Sequence, residues 1–332
     1  MRAFAVLSFG DQPELVDLPI PAADGGFRVR VNIAGVNPVD HKMVGRLTAG
    51  SSFPFVLGVD FAGVLEEVPP SEMELRVGDR VFGMARQHGS YAEYTALPAS
   101  SPNLPTPIAR IPDDVTDEQA AALPVAAVAA IGSLELLGTG AGQRLVVTGA
   151  AGAVGGYAVQ MAKHRGAHVI ATVRSAARGL PSAGRTAGVF PKSGADEARR
   201  LGADEVFESG DGDVVTAILA AHPDGVDAVL DNVSDEVATR RDAELLGPGR
   251  RLVSTVHAAD ESWFADHQIT ARNISGPANP FASPAGLSEL ARLVADGTID
   301  ARVRTVVPLD EALQIHDRLR QGGLSGKALI RI

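Results

Sequence analysis

The sequence predicts an α/β protein of two domains: a doubly wound parallel sheet set into a unit of antiparallel, barrel-like strands. Three observations predict it. Short β-rich runs crowd residues 1–110. From about residue 116, strand-like and helix-like runs alternate, the order that builds parallel βαβ units. The stretch VVTGAAGAVGGYAVQMA (146–162) passes from a β-branched run, through spaced glycines, straight into a helical pattern.

The early strands are RAFAVLSF, FRVRVNIAGV, GVLEEV, DRVFGM and YAEYTAL. Gly, Pro and Asp punctuate them at short intervals, as in antiparallel units. Thr116-Asp-Glu-Gln119 is a capping-box pattern ahead of an Ala-rich helix. RLVVTG is followed by a helix from 154, then HVIATV, DEARRLG, DEVFE, VVTAILAAH, VDAVLD, DEVATRRDAELL and RRLVSTV. After Val256 the pattern changes. Helices near 284–296 and 309–321 precede a last strand, GKALIRI. This tail is too short for a third domain, so the chain is expected to return to the first. The expected division is 1–121 for the first part of the catalytic domain, 122–257 for the nucleotide-binding domain and 258–332 for the return. Residues 175–195 fit no period and read as a long loop of the kind that is usually functional or mobile.

The chain has 332 residues, 45% of them hydrophobic, which is enough for two cores. No apolar run reaches the ~18 residues of a membrane span, and the N-terminus lacks the apolar stretch of a signal peptide. A cytosolic protein is expected. The absence of cysteine removes disulfides and every thiolate zinc site. A net charge of −10 repels phosphate backbones and argues against nucleic acid as a partner.

The glycines stand as Gly149-x-x-Gly152-x-x-Gly155. Val154, Ala158, Met161 and Ala162 recur on one helical face, so the glycines lie on a strand-to-helix turn. There the helix N-terminus favours an anion. Gly149 permits the sharp turn, Gly152 lets a pyrophosphate approach, and Gly155 lets the helix pack on the strand. In the alternative, small residues merely tighten a crossover; the βαβ context favours a dinucleotide. An acid at the end of the second strand would bind the ribose 2′-hydroxyl of NAD. HVIATVRSAAR has none and carries Arg174, Ser175 and Arg178 instead. Those groups suit a 2′-phosphate, so the expected cofactor is NADPH.

The sequence resembles the zinc-independent quinone oxidoreductases of the medium-chain dehydrogenase/reductase superfamily. The matching pieces span nearly the whole chain: AGVNPVDHKM (34–43), LGVDFAGV (57–64), VGDRVFG (77–83), GSYAEY (89–94), AAALPVA (120–126), the 148–173 segment, LGADEV (201–206), GVDAVLDNV (225–233) and GKALIRI (326–332). The resemblance implies a GroES-like antiparallel β-barrel catalytic domain, a Rossmann domain, bound NADPH and a homodimer through the Rossmann sheet edge. Zinc-dependent relatives have Cys where Asn37 stands and a His-Glu pair where Val59-Asp60 stands, so no metal is expected. The resemblance places Asn37 and Asp40 by the nicotinamide and substrate. Lys42 faces the same way as Asp40 if the segment is extended. It is then either a donor to the developing oxyanion or a surface cation. NPVD is also good turn chemistry. The expected cofactor set is Gly149, Ala151, Gly152, Ala153, Val154, Gly155, Arg174, Ser175, Arg178, Asn232, Val256, His257 and Lys327, with Lys192 a rival for the 2′-phosphate.

The chain departs from the family pattern at Ala129-Ala130-Ile131, where many relatives have Thr-Ala-Tyr, and at DNVS (231–234). His316, Tyr91 and Tyr94 read as packing, while Trp263 and Phe281 are open candidates for an apolar substrate site. Hydride transfer without a metal suits quinones and α,β-unsaturated carbonyls, whose product anion is delocalised. The expected activity is NADPH-dependent reduction of one of these. The alternatives are an enoyl-thioester reductase or tailoring enzyme on a polyketide-type intermediate, and a protein that binds NADPH without turnover.

Overall fold

The structure is a computed structural model describing every residue except 102, 176–192, 211–212, 275–278 and 322–325. The chain folds into two compact units, Met1–Val128 with Pro280–Ile332, and Ala129–Asn279.

In the first unit, β1 (Arg2–Val6) lies between β2 (Glu14–Asp17) and β4 (Phe55–Val56), antiparallel to both. The long strand β3 (Phe27–Val36) pairs antiparallel with β5 (Asp60–Glu67), β7 (Tyr94–Leu97) and β16 (Lys327–Arg331). β6 (Arg80–Met84) and β8 (Ile108–Arg110) extend the sheet beyond β5, and β15 (Val303–Pro308) extends it beyond β16. Apolar alternation along β3 turns Phe27, Val29 and Val31 into a core with Phe61, Leu65, Val81 and Ile108. At the end of β3 the alternation stops, and Ile33 to Val36 are all buried. The helices here are α1 (Pro38–Val44), α2 (Asp117–Ala121), α9 (Pro284–Ala295) and α10 (Ala312–Arg320); α3 (Pro124–Leu137) carries the chain onward. α2 starts on the Thr116–Gln119 capping box. The strands of residues 1–110 pair antiparallel throughout, as expected. β15 and β16 are parallel, because α10 returns the chain to the same end of the sheet.

In the second unit β9 (Arg144–Val147), α4 (Ala153–His164), β10 (His168–Arg174), α5 (Gly194–Arg200), β11 (Glu205–Ser209), α6 (Val214–Ala221), β12 (Val226–Asp231), α7 (Glu236–Asp242), β13 (Leu246–Ser254), α8 (Glu261–Asp266) and β14 (Thr270–Asn273) alternate. All the strand pairs are parallel, in the order β11-β10-β9-β12-β13-β14. The order reverses between β9 and β12, so the loop after β9 lies at the switch point, where doubly wound sheets bind ligands. β14 pairs with β13, so the chain from 258 through β14 goes with this sheet. The expected boundary at 257 therefore falls one strand short. A four-residue strand, TARN, has too little apolar alternation to be seen in sequence.

Candidate functional site

Two constellations stand out among the described residues, one in each unit. In the second unit, β9 runs into Thr148, whose N–H donates to Leu230 O at 2.9 Å, and Ala150 N–H donates to Thr172 O at 3.1 Å. These bonds pin the turn to both neighbouring strands. Gly149 has φ +60°. A Cβ on Gly155 would stand 2.4 Å from Gly149 O and 2.9 Å from Ala150 Cα, so only glycine lets α4 seat on the turn. At Gly152 a Cβ meets a single atom, Gly149 O at 3.0 Å. Ala151, Ala153 and Val154 are half-buried beside it.

The helix starts separate this turn from the others. α5, α6, α7 and α8 each have a side-chain oxygen cap, from Ser193, Asp213, Asp235 and Asp260. α4 starts at Gly152 with no side-chain cap. The first N–H groups of a helix have no intrahelical acceptor, and a carboxylate cap would repel an anion there. The turn therefore fits a pyrophosphate.

Asp231, at the end of β12, holds the rim of this site together. One oxygen accepts from Thr148 Oγ1 at 3.1 Å and from the N–H groups of Val233 and Ser234, and the other accepts from Ser254 Oγ at 2.8 Å. The side chain is wholly buried. The sequence reading missed it; an acid ending an otherwise apolar strand was the available signal. Nearby Asp242 is pushed up to about 7, by burial first and then by Asp231. Asn232 differs from its expected role. Its Nδ2 donates to Thr148 O at 2.9 Å and its Oδ1 accepts from Thr255 Oγ1 at 3.0 Å, so its amide ties strand ends together. Val256 is half-buried; His257 is exposed, with φ +62°.

Arg174 ends β10 exposed, and Ser175 follows with its N–H on Ser209 O at 3.0 Å. Arg174 forms no ion pair with a described residue. Arg178 and Lys192, with most of the 175–195 loop, lie outside the described residues.

The second constellation is a buried polar cluster in the first unit. Asn37, at the end of β3, is the N-cap of α1, and Pro38 opens that helix. NPVD is thus a helix start rather than a turn. Asp40 reaches back, its Oδ2 accepting the Asn37 N–H at 2.8 Å and the Tyr91 hydroxyl at 2.9 Å. Asn37 Nδ2 donates to Asp60 Oδ2 at 2.9 Å. Lys327, first residue of β16, donates from Nζ to Asn37 Oδ1 at 2.7 Å and to Asp60 Oδ2 at 3.1 Å. Asp60 Oδ1 accepts the Val125 N–H at 3.0 Å, at the positive end of α3. Every one of these side chains is buried.

The cluster shows where four of the expected residues lie. Asn37 and Asp40 do not reach outward: the Asn37 amide is spent at both ends, and Asp40 is 0% exposed. Their hydrogen bonds join the end of β3, the start of α1, Tyr91, Asp60 and Lys327. Lys42 faces away from Asp40, because the segment is helical and two residues span ~200°. It is exposed. Lys327 belongs to this cluster in the first unit, which the sequence pattern, showing only a lysine ahead of an apolar strand, did not reveal. Asp60 and Tyr91 were missed as members. Tyr91 takes its place because Gly58, at φ +94°, leaves room for its ring; a Cβ there would lie 2.2 Å from Cδ1.

Burial, then the charge of Asp60, push the Asp40 carboxyl up to about 7. Burial also raises Asp60, with the Lys327 ammonium opposing it. Burial and Asp40 hold the Tyr91 hydroxyl well above its ordinary value. His316 packs 5.5 Å from the Tyr91 ring, and burial takes it down to about 4. As a donor set the cluster does not fit zinc, since it has no thiolate or imidazole ligand and an ammonium bonds its amide and carboxylate oxygens. Among the described residues, Trp263 lines no apolar site within its unit. It stacks on His267 at 3.9 Å and packs on the sheet core. Phe281 is half-buried just ahead of α9.

Comparison with known proteins matches residues 23–107 to the family described as alcohol dehydrogenase GroES-like domain, and residues 201–330 to the family described as zinc-binding dehydrogenase. The chain is 27% identical to the quinone oxidoreductase of Mus musculus, over 99% of this chain and 97% of that protein. It is 36% identical to the spectinabilin polyketide synthase system protein NorB of Streptomyces orinoci, over 70% of this chain and 9% of that protein. Among solved structures, mycobacterial Rv1454c complexed with NADPH superimposes with a TM-score of 0.82 at 25% identity, over the full length of both chains.

Proposed function

Because the chain belongs to the medium-chain dehydrogenase/reductase superfamily, as a quinone oxidoreductase-like member, we propose that it uses NADPH to reduce a quinone or an α,β-unsaturated carbonyl without a catalytic metal. The observation that carries this reading is the glycine turn that leads from β9 into α4, at the switch point of the sheet. Bound NADPH supplies the hydride. The first turn of α4 receives the pyrophosphate, with Gly152 keeping the approach open. Arg174, placed where an acid would select NAD, offers its guanidinium to the 2′-phosphate.

The chemistry of the buried cluster supports this choice of acceptor class. With an ammonium among its carboxylate and amide, the site lacks a Lewis acid to polarise a simple carbonyl. The acceptor must then delocalise the negative charge itself, as quinones and enones do. Asn37 and Asp40 fix the junction of β3 and α1, and Asp60 fixes the start of α3, so the cluster orients these segments. β14 is an edge strand of the six-stranded sheet, and a homodimer paired along it completes the proposal.

The test is the decay of NADPH fluorescence with a panel of quinones, enones and an enoyl thioester, with NADH as the control cofactor. Turnover of a quinone or enone, unchanged by exhaustive chelation, is expected. Tight NADPH binding with no turnover of any acceptor would replace this reading with a binding protein. Loss of activity on chelation at a temperature where circular dichroism shows the chain still folded, restored by zinc, would overturn the metal-free mechanism. The higher identity to a segment of a polyketide synthase protein favours a second reading, a reductase of polyketide-type thioesters. A strong preference for the thioester would select it.

A further inference from the structure

We propose that His168, Glu205 and His222 form a binding site for a divalent transition-metal ion with zinc's size and ligand preference, stapling the edge of the second unit's sheet away from the glycine turn. His168 opens β10 and Glu205 opens β11, neighbouring parallel strands. His222 caps the C-terminal end of α6. Far apart in sequence, the three meet because a parallel sheet brings its strand starts to one edge.

Their geometry is that of a converging ligand set. His168 Nε2 lies 2.6 Å and His222 Nε2 3.0 Å from the same atom, Glu205 Oε1. The three ligand atoms all fall within 4.8 Å of one another. Metal–ligand bonds of ~2.0–2.2 Å in a tetrahedral site set ligand atoms about 3.3–3.6 Å apart, so small side-chain rotations suffice. The imidazole rings stand edge to face at 66°, with centroids 6.2 Å apart. Two imidazoles and one carboxylate suit zinc and its neighbours among late first-row ions, leaving a fourth position for water.

Two further observations support an ion over a simple hydrogen-bonded cluster. His222 Nε2 is buried and, although close to Glu205, makes no hydrogen bond of acceptable geometry. Around the set, Asp204 Oδ2 lies 3.8 Å from His168 Nδ1, and that carboxylate is itself fixed by Lys163 at 2.7 Å and by the Val169 N–H at 2.7 Å. A carboxylate behind a ligating histidine is the usual outer support of such a site, orienting Nε2 toward the ion.

The ion would bridge β10, β11 and α6, so its effect is on stability and not on hydride transfer. Metal binding to the folded chain raises the melting temperature by linkage. The experiment uses the full-length protein, stripped of metal by chelation, with Zn2+ titrated by calorimetry and Co2+ by its visible spectrum. One tight site per chain is expected, with a tetrahedral Co2+ spectrum and a raised melting temperature. Loss of an outer support typically costs 10–100-fold in affinity, so His222→Gln or Glu205→Gln, each losing a direct ligand, should cost about 100-fold or more and remove the thermal shift. His267→Ala, at an exposed histidine elsewhere in the unit, should leave both unchanged. No Zn2+ binding by the unmodified protein would overturn the proposal. So would Zn2+ binding and a thermal shift that survive in His168→Gln/His222→Gln. No readout involves NADPH, so failure of the proposed reductase activity leaves this test intact.

Discussion

Replacing Lys327 by Met tests whether the buried cluster is one electrostatic unit. Met keeps most of the side-chain volume, so the change removes a charge more than it opens a cavity. The wild-type ammonium and the Asp60 carboxylate are both fully buried, 3.1 Å apart. Nζ also bonds Asn37 Oδ1 at 2.7 Å, with Val36 O at 3.4 Å. In the variant Asp60 keeps the Asn37 amide and the Val125 N–H but loses its one cationic partner among the described residues. Removing one member of a buried pair costs ~3–5 kcal/mol, a large share of the ~5–15 kcal/mol that holds a domain folded. Asn37 Oδ1 is orphaned too, but that loss overlaps the first and does not add fully. Asp60 already has a raised carboxyl in the folded protein, and losing the ammonium raises it further. The folded variant therefore binds more protons than the unfolded chain above pH ~4, and its stability falls as pH rises. The loss should be larger at pH about 8 than at pH about 5. Urea unfolding followed by circular dichroism, with hydrogen exchange in β3 and β16, measures it. Trp263 fluorescence does not serve, because that residue lies in the other unit. The double variant Lys327→Met/Asp60→Asn should recover at least half of the loss. A loss below ~1 kcal/mol, the range of an exposed ion pair, would refute the reasoning, as would full additivity in the double variant.

Asp40→Asn should flatten the pH dependence of stability between pH ~4 and ~7. The wild-type carboxyl is raised from 3.8 to about 7 in the folded state, so its contribution is complete below pH ~4 and is lost as pH rises through 7, by on the order of 4 kcal/mol at most; a wild-type slope retained in the variant would assign the titration elsewhere. Gly152→Val should leave circular dichroism and melting nearly unchanged while abolishing NADPH binding. Gly155→Ala should instead destabilise the second unit by ~1–3 kcal/mol, since its Cβ meets backbone at 2.4 Å. Similar losses of cofactor affinity and of stability in both variants would mean the turn is only structural. Arg174→Ala should weaken NADPH about 10- to 150-fold, equivalent to ~1.5–3 kcal/mol, and leave NADH unaffected; equal weakening of both cofactors in titration would remove Arg174 from the 2′-phosphate site.

The sequence by itself determined the parallel unit and its turn, because these rest on local chemistry. Gly149, Gly152 and Gly155 declare a turn by what a Cβ would strike, and Thr116 with Gln119 declares a helix start within four residues. Alternation along FRVRVNI marked most of β3, before its last residues are buried without a break. The first unit's strands were legible for the same reason. TARN was too short and too polar to announce a strand, and NPVD had the chemistry of a turn and of a helix start alike. Tertiary structure alone decided the polar clusters. Asn37, Asp60, Tyr91 and Lys327 carry no common spacing, and β3, β5, β16 and the segment before β7 bring them together. That folding made Lys327 a buried counter-ion and turned Lys42 outward by helical rotation. It also placed His168, Glu205 and His222 at one sheet edge. The physical reason is range. Capping, turn strain and hydrophobic period act over a few residues and are written in neighbouring letters. Burial of a charge depends on which distant side chain the fold sets against it.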